Sequence, residues 1–348
     1  MLGITRFVLA LLVLLSHANG TGFKLNLGVV AVIIFYFASG YLMQRSYGRF
    51  VKHSSTPIKD FYLDRLLKLF PQYSVVVLAS FAAIAYFGPS QHVLFMSQEP
   101  SLEKVLLNLV LLPANYVFPP LSIEGMLPHP IVPPAWSLAA EFHFYLLLPF
   151  VFLLPRKGIL ILLGITAGTQ VGALFFADGN FNSDNFGYRF IFGVMTFFLF
   201  GYSHARSEEY FYKQLTRIIW VGYAVLLLVI APAFQLFDNP HVMELLLGAV
   251  LAWPIISAAL NSKPQEQWLK AVDNILGRLA YPIFISHYLV FYLCEKILGL
   301  TSTEQGVYIP AAIMLCLFLS YALMRLQDMF ETYRLQRRGF ASMVKTAN

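Results

Sequence analysis

The sequence has little charge and almost no cysteine. Asp, Glu, Lys and Arg make up only 12% of its 348 residues, whereas a soluble domain is about a quarter charged. Hydrophobic residues make up 58%, which is more apolar surface than a soluble fold of this length can bury. The two cysteines, Cys294 and Cys316, both lie within apolar runs, a setting that does not favour a disulfide, a zinc site or an iron–sulfur cluster. No metal site is predicted.

Sequence motifs of soluble enzymes are also missing. The chain contains no glycine-rich phosphate loop, no GxSxG nucleophile elbow and no HExxH zinc motif. Its formal net charge is +6, and a basic protein raises the question of nucleic acid. Here the Lys and Arg residues lie in short segments between apolar runs, a pattern typical of the cytoplasmic loops of membrane proteins. We therefore expect no nucleic-acid partner.

What the sequence does contain is a series of apolar runs, most of them near the roughly 20 residues that span a bilayer. They predict an all-α fold, a polytopic transmembrane helix bundle in a lipid bilayer. This domain covers residues 1–330, and 331–348 form a polar cytoplasmic tail. Residues 101–118 are apolar over only about half their length, so we interpret them as an interfacial or partly buried helix rather than a crossing. The predicted spans, about ten in all, are 4–17, 27–44, 71–88, 137–155, 158–177, 188–206, 215–233, 241–260, 279–298 and 307–326.

The distribution of Lys and Arg predicts the topology. The segment 45–70 is rich in both, which assigns it to the cytoplasm, and alternation then places the other basic loops on the same side. Both termini are cytoplasmic in this arrangement. The N-terminal stretch has some features of a cleaved signal peptide, but its cleavage pattern is poor and further spans follow, so we expect it to be retained as a span. We expect a multi-pass protein of the inner (plasma) membrane.

Two ionisable residues lie in the first predicted span, where each needs a reason. Arg6 and His17 are 11 residues apart, a spacing that returns to within about 20° of the same helix face with a rise of about 17 Å. They could therefore serve one site. The alternative is that Arg6 reaches towards lipid phosphates and His17 caps the helix end. Spacing alone leaves both interpretations open.

A third intramembrane charge, Glu141, lies a few residues into a span that is predicted to enter from the outer side. This position predicts the same depth as His17. A carboxylate beside an imidazole can orient the ring and raise its basicity. The alternative is a structural ion pair with an unrelated Lys or Arg.

Arg65 and Lys68 are three residues apart before the third span, so a helix places them on one face at the cytoplasmic surface. They could bind the phosphates of a soluble cofactor or, more commonly, lipid headgroups. Ser39 and Tyr41 lie in the second span, where close helix packing is the simpler explanation. His287, in a late span, is typical of a satisfied packing residue.

Five segments in order resemble the acyltransferase-3 family of membrane O-acyltransferases, over residues 2 to 326. They are similar to the family's Arg-x10-His helix, FFxxSGF segment, RxxRxxP segment, WSLxxExxFYxxxP motif and late lGxxSYxxYLxH segment. Lys68 replaces the second Arg of RxxR, which keeps the charge but loses the guanidinium fork. Ala280 stands where Ser is usual. The five segments here are ITRFVLALLVLLSH, GVVAVIIFYFASGYLM, DFYLDRLLKLFPQY, PAWSLAAEFHFYLLLP and LGRLAYPIFISHYLV.

The resemblance implies an enzyme that transfers an acyl group to a carbohydrate hydroxyl. Acyl-CoA, with acetyl-CoA as the expected form, is the donor substrate, and no cofactor is permanently bound. The acceptor is an extracytoplasmic or lipid-linked glycan, so the reaction is a polysaccharide O-acetylation. The implied catalytic residues are His17, as general base or covalent acyl carrier, and Glu141. The implied phosphate-binding residues are Arg6, Arg65 and Lys68, and Trp136, Ser39, Tyr41 and His287 support the substrate or the structure.

A different function class remains open at this point. A transporter or flippase of a small molecule or lipid-linked sugar would also be a multi-span bundle, but broken helices or internal repeats would be expected, and neither is evident in the sequence. A purely structural membrane subunit would leave Arg6, His17 and Glu141 without an explanation.

Overall fold

The computed structural model describes residues 1–18, 25–116, 130–302 and 305–337, and these residues form helices without any strand. Each predicted span coincides with a long helix or helical stretch, which confirms the all-α fold. In chain order the α-helices are α1 Leu2–His17, α2 Leu27–His53, α3 Pro57–Phe87, α4 Leu102–Val110, α5 Ala135–Leu153, α6 Arg156–Ala173, α7 Ile191–Ala205, α8 Tyr210–Val225, α9 Ala231–Ala233, α10 Val242–Asn261, α11 Gln267–Leu298 and α12 Gln305–Arg337.

Seven helical stretches of the described chain are long and apolar enough to cross a membrane, and the apolar α1 is shorter. The protein is therefore a multi-pass membrane helix bundle. The helix α6 begins with Arg156 and Lys157, and α7 has only 15 residues, so these two helices fall outside the seven. The total of ten spans and the cytoplasmic side of both termini stay predictions. The seven stretches are Leu27–His53, Pro57–Phe87, Ala135–Leu153, Tyr210–Ala233, Val242–Asn261, Gln267–Leu298 and Gly306–Arg334.

The segment predicted to lie outside the set of crossings forms the short helix α4, followed by a single 3-10 turn at Leu112–Asn115. Nine residues of helix rise only about 14 Å, too little to span a bilayer. Buried Asn108 fixes α4 to the bundle, because its carbonyl oxygen accepts from the Tyr73 hydroxyl at 2.7 Å and its side-chain oxygen from the Ile131 amide at 2.9 Å. Residues 117 and 118 of the predicted segment lie outside the described residues.

The helix α2 is the central element of the bundle, with α1, α3, α5, α7 and α10 packed around it. It meets α7 backbone to backbone at two glycines. A Cβ atom on Gly40 would lie 2.0 Å from the carbonyl oxygen of Phe198, and one on Gly201 would lie 1.9 Å from that of Phe37. Small residues are what allow such close approach between membrane helices. The close packing expected beside Ser39 is therefore confirmed at Gly40.

The bundle has two ends, which we call the Met1 end and the His17 end because α1 runs from one to the other. At the Met1 end, the N-terminal amine of Met1 donates to the carbonyl oxygens of Ala259 and Ser262 at 2.6 and 2.5 Å. At the His17 end, the Gly28 amide donates to the Ser16 hydroxyl at 2.7 Å. These bonds fix α1 at both of its termini.

Replacing Gly201 by Ala tests the crossing of α2 and α7. The added methyl group collides with backbone rather than with a side chain that can move, so we expect the free energy of unfolding to fall by about 1–3 kcal/mol. Thermal unfolding in detergent measures the loss. The matched control is Gly164→Ala in α6, where an added Cβ meets nothing within 4 Å. Equal melting temperatures for the two variants would contradict the crossing.

Candidate active site

A cavity of about 900 Å³ lies between α1, α2, α3, α5 and α11, and we call it the central cavity. Along α2 its wall runs from Val32 to Met43, a distance of about 16 Å at the helical rise. The cavity is thus an elongated passage parallel to the bundle axis. It brings together five residues that the sequence singled out: Arg6, Ser39, Arg65, Lys68 and Glu141.

Glu141 is anchored in the wall of the central cavity by two hydroxyl groups. Its carboxylate accepts from the Ser39 hydroxyl at 2.5 Å and also from the Tyr145 hydroxyl. Arg6 lines the same cavity, and the two opposite charges lie within electrostatic range of each other. The carboxylate is therefore fixed in orientation and serves as the countercharge of Arg6.

Glu141 does not lie at the depth of His17, contrary to the sequence-based expectation. Its partner Ser39 is 12 residues along α2 from Leu27 at the His17 end, which is about 18 Å deeper. The reason lies in the chain before α5, because residues 130–134 are already buried. The chain reaches the bundle interior before the helix begins, so counting from the helix start underestimates the depth. The predicted contact between Glu141 and His17 is wrong.

The partner of His17 is His287. Nδ1 of His17 lies 2.9 Å from Nε2 of His287, and the two rings are inclined by only 10°. His17 is exposed at the end of α1, whereas His287 is fully buried. A residue whose sequence context suggested only packing therefore makes the closest polar contact of His17.

The hydrogen bonds determine the tautomers of this pair. Nδ1 of His287 faces the carbonyl oxygen of Ile283 at 3.2 Å, and a carbonyl can only accept, so this nitrogen carries the proton. In a neutral ring Nε2 of His287 is then an acceptor, and Nδ1 of His17 must donate to it. This leaves Nε2 of His17 with a lone pair. That nitrogen can remove a proton or attack a carbonyl carbon.

An edge-to-face pair of phenylalanines separates the central cavity from the histidines. The rings of Phe35 and Phe284 lie 6.0 Å apart, and Phe284 lies 6.5 Å from the His287 ring. Both phenylalanines line the cavity. At its limit nearest the His17 end, the cavity therefore ends on apolar rings that adjoin the histidine pair.

Trp136 lies towards the His17 end and is held against Arg189, a residue that sequence reasoning missed. The Arg189 guanidinium lies 5.0 Å from the centre of the Trp136 ring and donates to Asp184 at 2.8 Å. It is within electrostatic range of His17. The available signal was an arginine at the start of the predicted span 188–206 and an aspartate just before that span. Tyr41, in contrast, lies outside the central cavity wall and packs on His204 with ring centres 5.3 Å apart.

A second cavity of about 1020 Å³ opens at the Met1 end, between α1, α3, α11 and α12, and we call it the lower cavity. Arg6, Lys68 and Tyr281 line both cavities, so the two spaces adjoin at these side chains. Within the described part of the chain, neither Arg6 nor Lys68 has an ion pair or a hydrogen bond from its side chain. Two cations without bonded partners thus lie where the cavities meet.

Arg65 is buried, not at the surface as expected, and its guanidinium is already engaged. It donates to Asp64 through Nε at 3.0 Å and through Nη2, and it contacts the sulfur of Met43 at 3.3 Å. Asp64 also accepts from Arg334 at 2.8 Å, and Arg334 pairs with Glu331. This cluster joins α3 to the end of α12. Residues 331–337 of the predicted tail therefore continue a helix, and 338–348 lie outside the described residues.

The ion pair between Arg334 and Asp64 yields a stability prediction. Both side chains are almost fully buried, and removing one partner of a buried pair leaves charge uncompensated. Because Asp64 keeps Arg65, we expect Arg334→Met to lower the free energy of unfolding by about 3 kcal/mol, the lower end for such pairs. The control Arg325→Met breaks a more exposed pair with Asp328 and should cost at most about 1 kcal/mol. Indistinguishable denaturation curves would contradict the assignment.

No solved structure matches the chain, whereas one protein and one family profile do. A protein of Aquifex aeolicus (strain VF5), described only as uncharacterized, is 28% identical over 174 residues, which cover 47% of this chain and 72% of that protein. The sequence profile of the acyltransferase-3 family, described as an acyltransferase domain, matches residues 2–325, and this range includes the whole wall of the central cavity and both histidines. The chain belongs to the acyltransferase-3 family and is a membrane acyltransferase.

Proposed function

We propose that this acyltransferase moves an acyl group, with acetyl as the expected group, from acyl-CoA at the Met1 end to a glycan hydroxyl at the His17 end. The observation that carries the proposal is the pair of adjoining cavities. They lead from the Met1 end, past two cations, to the pair of Phe35 and Phe284, beyond which lies a histidine with a free ring nitrogen. The basic loops support a cytoplasmic Met1 end. The acceptor is then an extracytoplasmic or lipid-linked glycan, and the location is the inner (plasma) membrane.

The donor is proposed to enter through the lower cavity. Arg6 and Lys68 bind its phosphates, because both cations face cavity space without a hydrogen-bonded partner among the described residues, and phosphate is a preferred ligand of such groups. The pantetheine arm then extends through the central cavity. A pantetheine arm reaches roughly 15–20 Å, and the rise from Arg6 to His17 is about 17 Å. The arm is therefore long enough to bring the thioester to the histidine pair.

His17 is the proposed catalytic base. Its Nε2 takes the proton of the acceptor hydroxyl while the hydroxyl oxygen attacks the thioester carbonyl carbon. The carbon–oxygen bond forms, the carbon–sulfur bond breaks, and the proton passes from His17 to the leaving thiolate. In the variant mechanism, His17 first accepts the acyl group itself and then passes it to the hydroxyl. In both schemes His287 is a positioning residue that fixes the tautomer of His17.

Glu141 is proposed to act on the donor arm rather than on His17. Its carboxylate lies in the cavity wall along which the amide groups of pantetheine would pass. An ionised carboxylate accepts strongly from such N–H groups. Arg65 supports this wall indirectly, through its bonds to Asp64.

The acceptor is proposed to bind at the His17 end beside Trp136. The ring is fixed there by its contact with Arg189 and by a ring contact with Tyr188 at 4.7 Å. Aromatic rings provide large, rigid apolar contact surfaces at low entropic cost, which suits the apolar face of a sugar. Arg189 lies within electrostatic range of His17, which supports binding of the acceptor on the side of the proposed base.

Substituting the two histidines tests the proposed chemistry. We expect His17→Ala to abolish acyl transfer, because general-base catalysis contributes about 10²–10⁴-fold. His287→Phe keeps an aromatic ring but removes the acceptor, so it should lower kcat on the order of 10²-fold while leaving KM for the donor near its original value. Mass spectrometry of surface glycans from producing cells measures acylation. The exposed His53→Ala variant is the control.

Full glycan acylation by His17→Ala protein present at normal levels would exclude His17 as base. Unchanged kcat in His287→Phe would mean that the tautomer is set in another way.

Substituting Lys68 tests the proposed phosphate site. Loss of a charge-assisted bond costs about 1.5–3 kcal/mol, so Lys68→Met should raise the Kd of acetyl-CoA by about tenfold or more. Titration calorimetry on the purified protein in detergent measures the Kd. The control Lys59→Met removes an exposed lysine near the same end of the bundle. If both variants bind acetyl-CoA as tightly as the unsubstituted protein, Lys68 contacts lipid headgroups instead.

A further inference from the structure

Two buried glutamines in the wall of the lower cavity have side-chain oxygens without a hydrogen-bond partner. Gln72 on α3 is 3% exposed and Gln327 on α12 is 9% exposed, and both line the lower cavity. Among the described residues, Oε1 of each is buried without a donor. Buried acceptors in proteins almost always have a donor, so these two indicate a ligand.

The orientation of each glutamine is fixed by a backbone carbonyl on the opposite helix. Nε2 of Gln72 donates to the carbonyl of Leu323 at 3.2 Å, and Nε2 of Gln327 donates to that of Leu67 at 3.0 Å. Carbonyl oxygens only accept, so the nitrogen of each amide must be the atom that faces them. The side-chain oxygen of each glutamine is therefore the atom without a hydrogen-bond partner.

One of these two carbonyls lacks its usual hydrogen-bond donor within α3, because a proline lies four residues later. Pro71 lies inside α3, and proline has no N–H to donate to the carbonyl four residues earlier. That carbonyl belongs to Leu67, the acceptor of Gln327. Pro71 therefore leaves the Leu67 carbonyl without its usual helical donor, and Gln327 of α12 donates to this carbonyl instead. The bond fixes the Gln327 side chain across the interface between α3 and α12.

The chemistry of the lower cavity selects its ligand. The wall of this cavity carries more cations than carboxylates, which favours a phosphate-bearing molecule. The cations are Arg6, Lys68, Arg278 and Arg334, and the carboxylates are Asp273 and Glu331. The glutamine oxygens, in contrast, require N–H donors. A nucleotide whose base carries an exocyclic amino group meets both demands, because the amino group has one hydrogen for each oxygen.

We infer that Oε1 of Gln72 and Oε1 of Gln327 accept hydrogen bonds from the exocyclic amino group of the adenine of the acyl-CoA donor. This inference rests on the proposed function, which supplies acyl-CoA as the donor. It adds a recognition site for the base, separate from the phosphate site at Arg6 and Lys68. Gln327 lies just after residue 325, where the family match ends, so one half of the site lies outside the shared domain.

Binding of two forms of coenzyme A tests the inference without any acceptor. In deamino-coenzyme A, hypoxanthine replaces adenine, so a carbonyl oxygen stands where the amino group was. Two glutamine oxygens would then face an acceptor and stay unpaired, a mismatch that sites built for hydrogen bonding reject strongly. We expect titration calorimetry to give a Kd for deamino-coenzyme A at least about tenfold above that for coenzyme A.

The variants Gln72→Leu and Gln327→Leu, made separately, remove one oxygen each and keep the bulk of the side chain. Each should bring the ratio of the two Kd values towards one. The ratio is an internal reference, because partial loss of folded protein affects both titrations equally. The matched control is Gln170→Leu in α6, a buried glutamine that also donates to a carbonyl, at 3.0 Å, but whose oxygen already accepts from Tyr223. This control should keep the unsubstituted ratio.

The possible outcomes separate the inference from the proposed function. Binding of coenzyme A with a ratio near one in the unsubstituted protein overturns the base site and leaves the proposed donor intact. A high ratio that persists in both leucine variants overturns the assignment to these glutamines. Failure of the unsubstituted protein to bind coenzyme A at all overturns the proposed donor and the inference together.

Discussion

The cost of an unpaired charge in hydrocarbon governs how this bundle is built. A charged side chain inside a membrane bundle needs a partner or a water-filled space. Asp64, Arg65 and Arg334 meet the first condition in one buried cluster, and Glu141 is held by hydroxyl groups. Arg6 and Lys68 meet the second, because they face cavity space. Arg6 and Lys68 have no bonded partner among the described residues, and they are the cations that we propose to bind the substrate.

The cost of unpaired charge also separates two kinds of group along the bundle. Charged groups that suit phosphates lie towards the Met1 end, while the histidine pair and Trp136 lie towards the His17 end. Apolar side chains, with the anchored Glu141 among them, line the passage in between. A long, thin donor arm can bridge these ends, whereas a compact soluble substrate could not. The elongated shape of the central cavity thus fits the proposed use of a carrier-bound acyl group.

The helices and several site residues could be predicted from the sequence, because lipid imposes a length and a polarity on each span. The Arg6–His17 face also follows from helical periodicity. The partners could not be predicted. His287 meets His17 across a sequence separation of 270 residues, and the depth of Glu141 depends on a buried, non-helical segment before α5. The role of Arg65 depends on α12 reaching back to Asp64. These features arise from tertiary packing, which hydropathy and spacing do not encode.

The apolar pair of Phe35 and Phe284 has a consequence for the cell as well as for the enzyme. A passage that joins the two faces of an energised membrane would let protons run down their electrochemical gradient. Phe35 and Phe284 pack edge to face at the end of the central cavity nearest the histidines, and they put apolar surface where a continuous file of water would have to pass. In the proposed mechanism, the acyl arm passes between these two rings. We expect the enzyme to transfer acyl groups across the membrane without conducting protons through it.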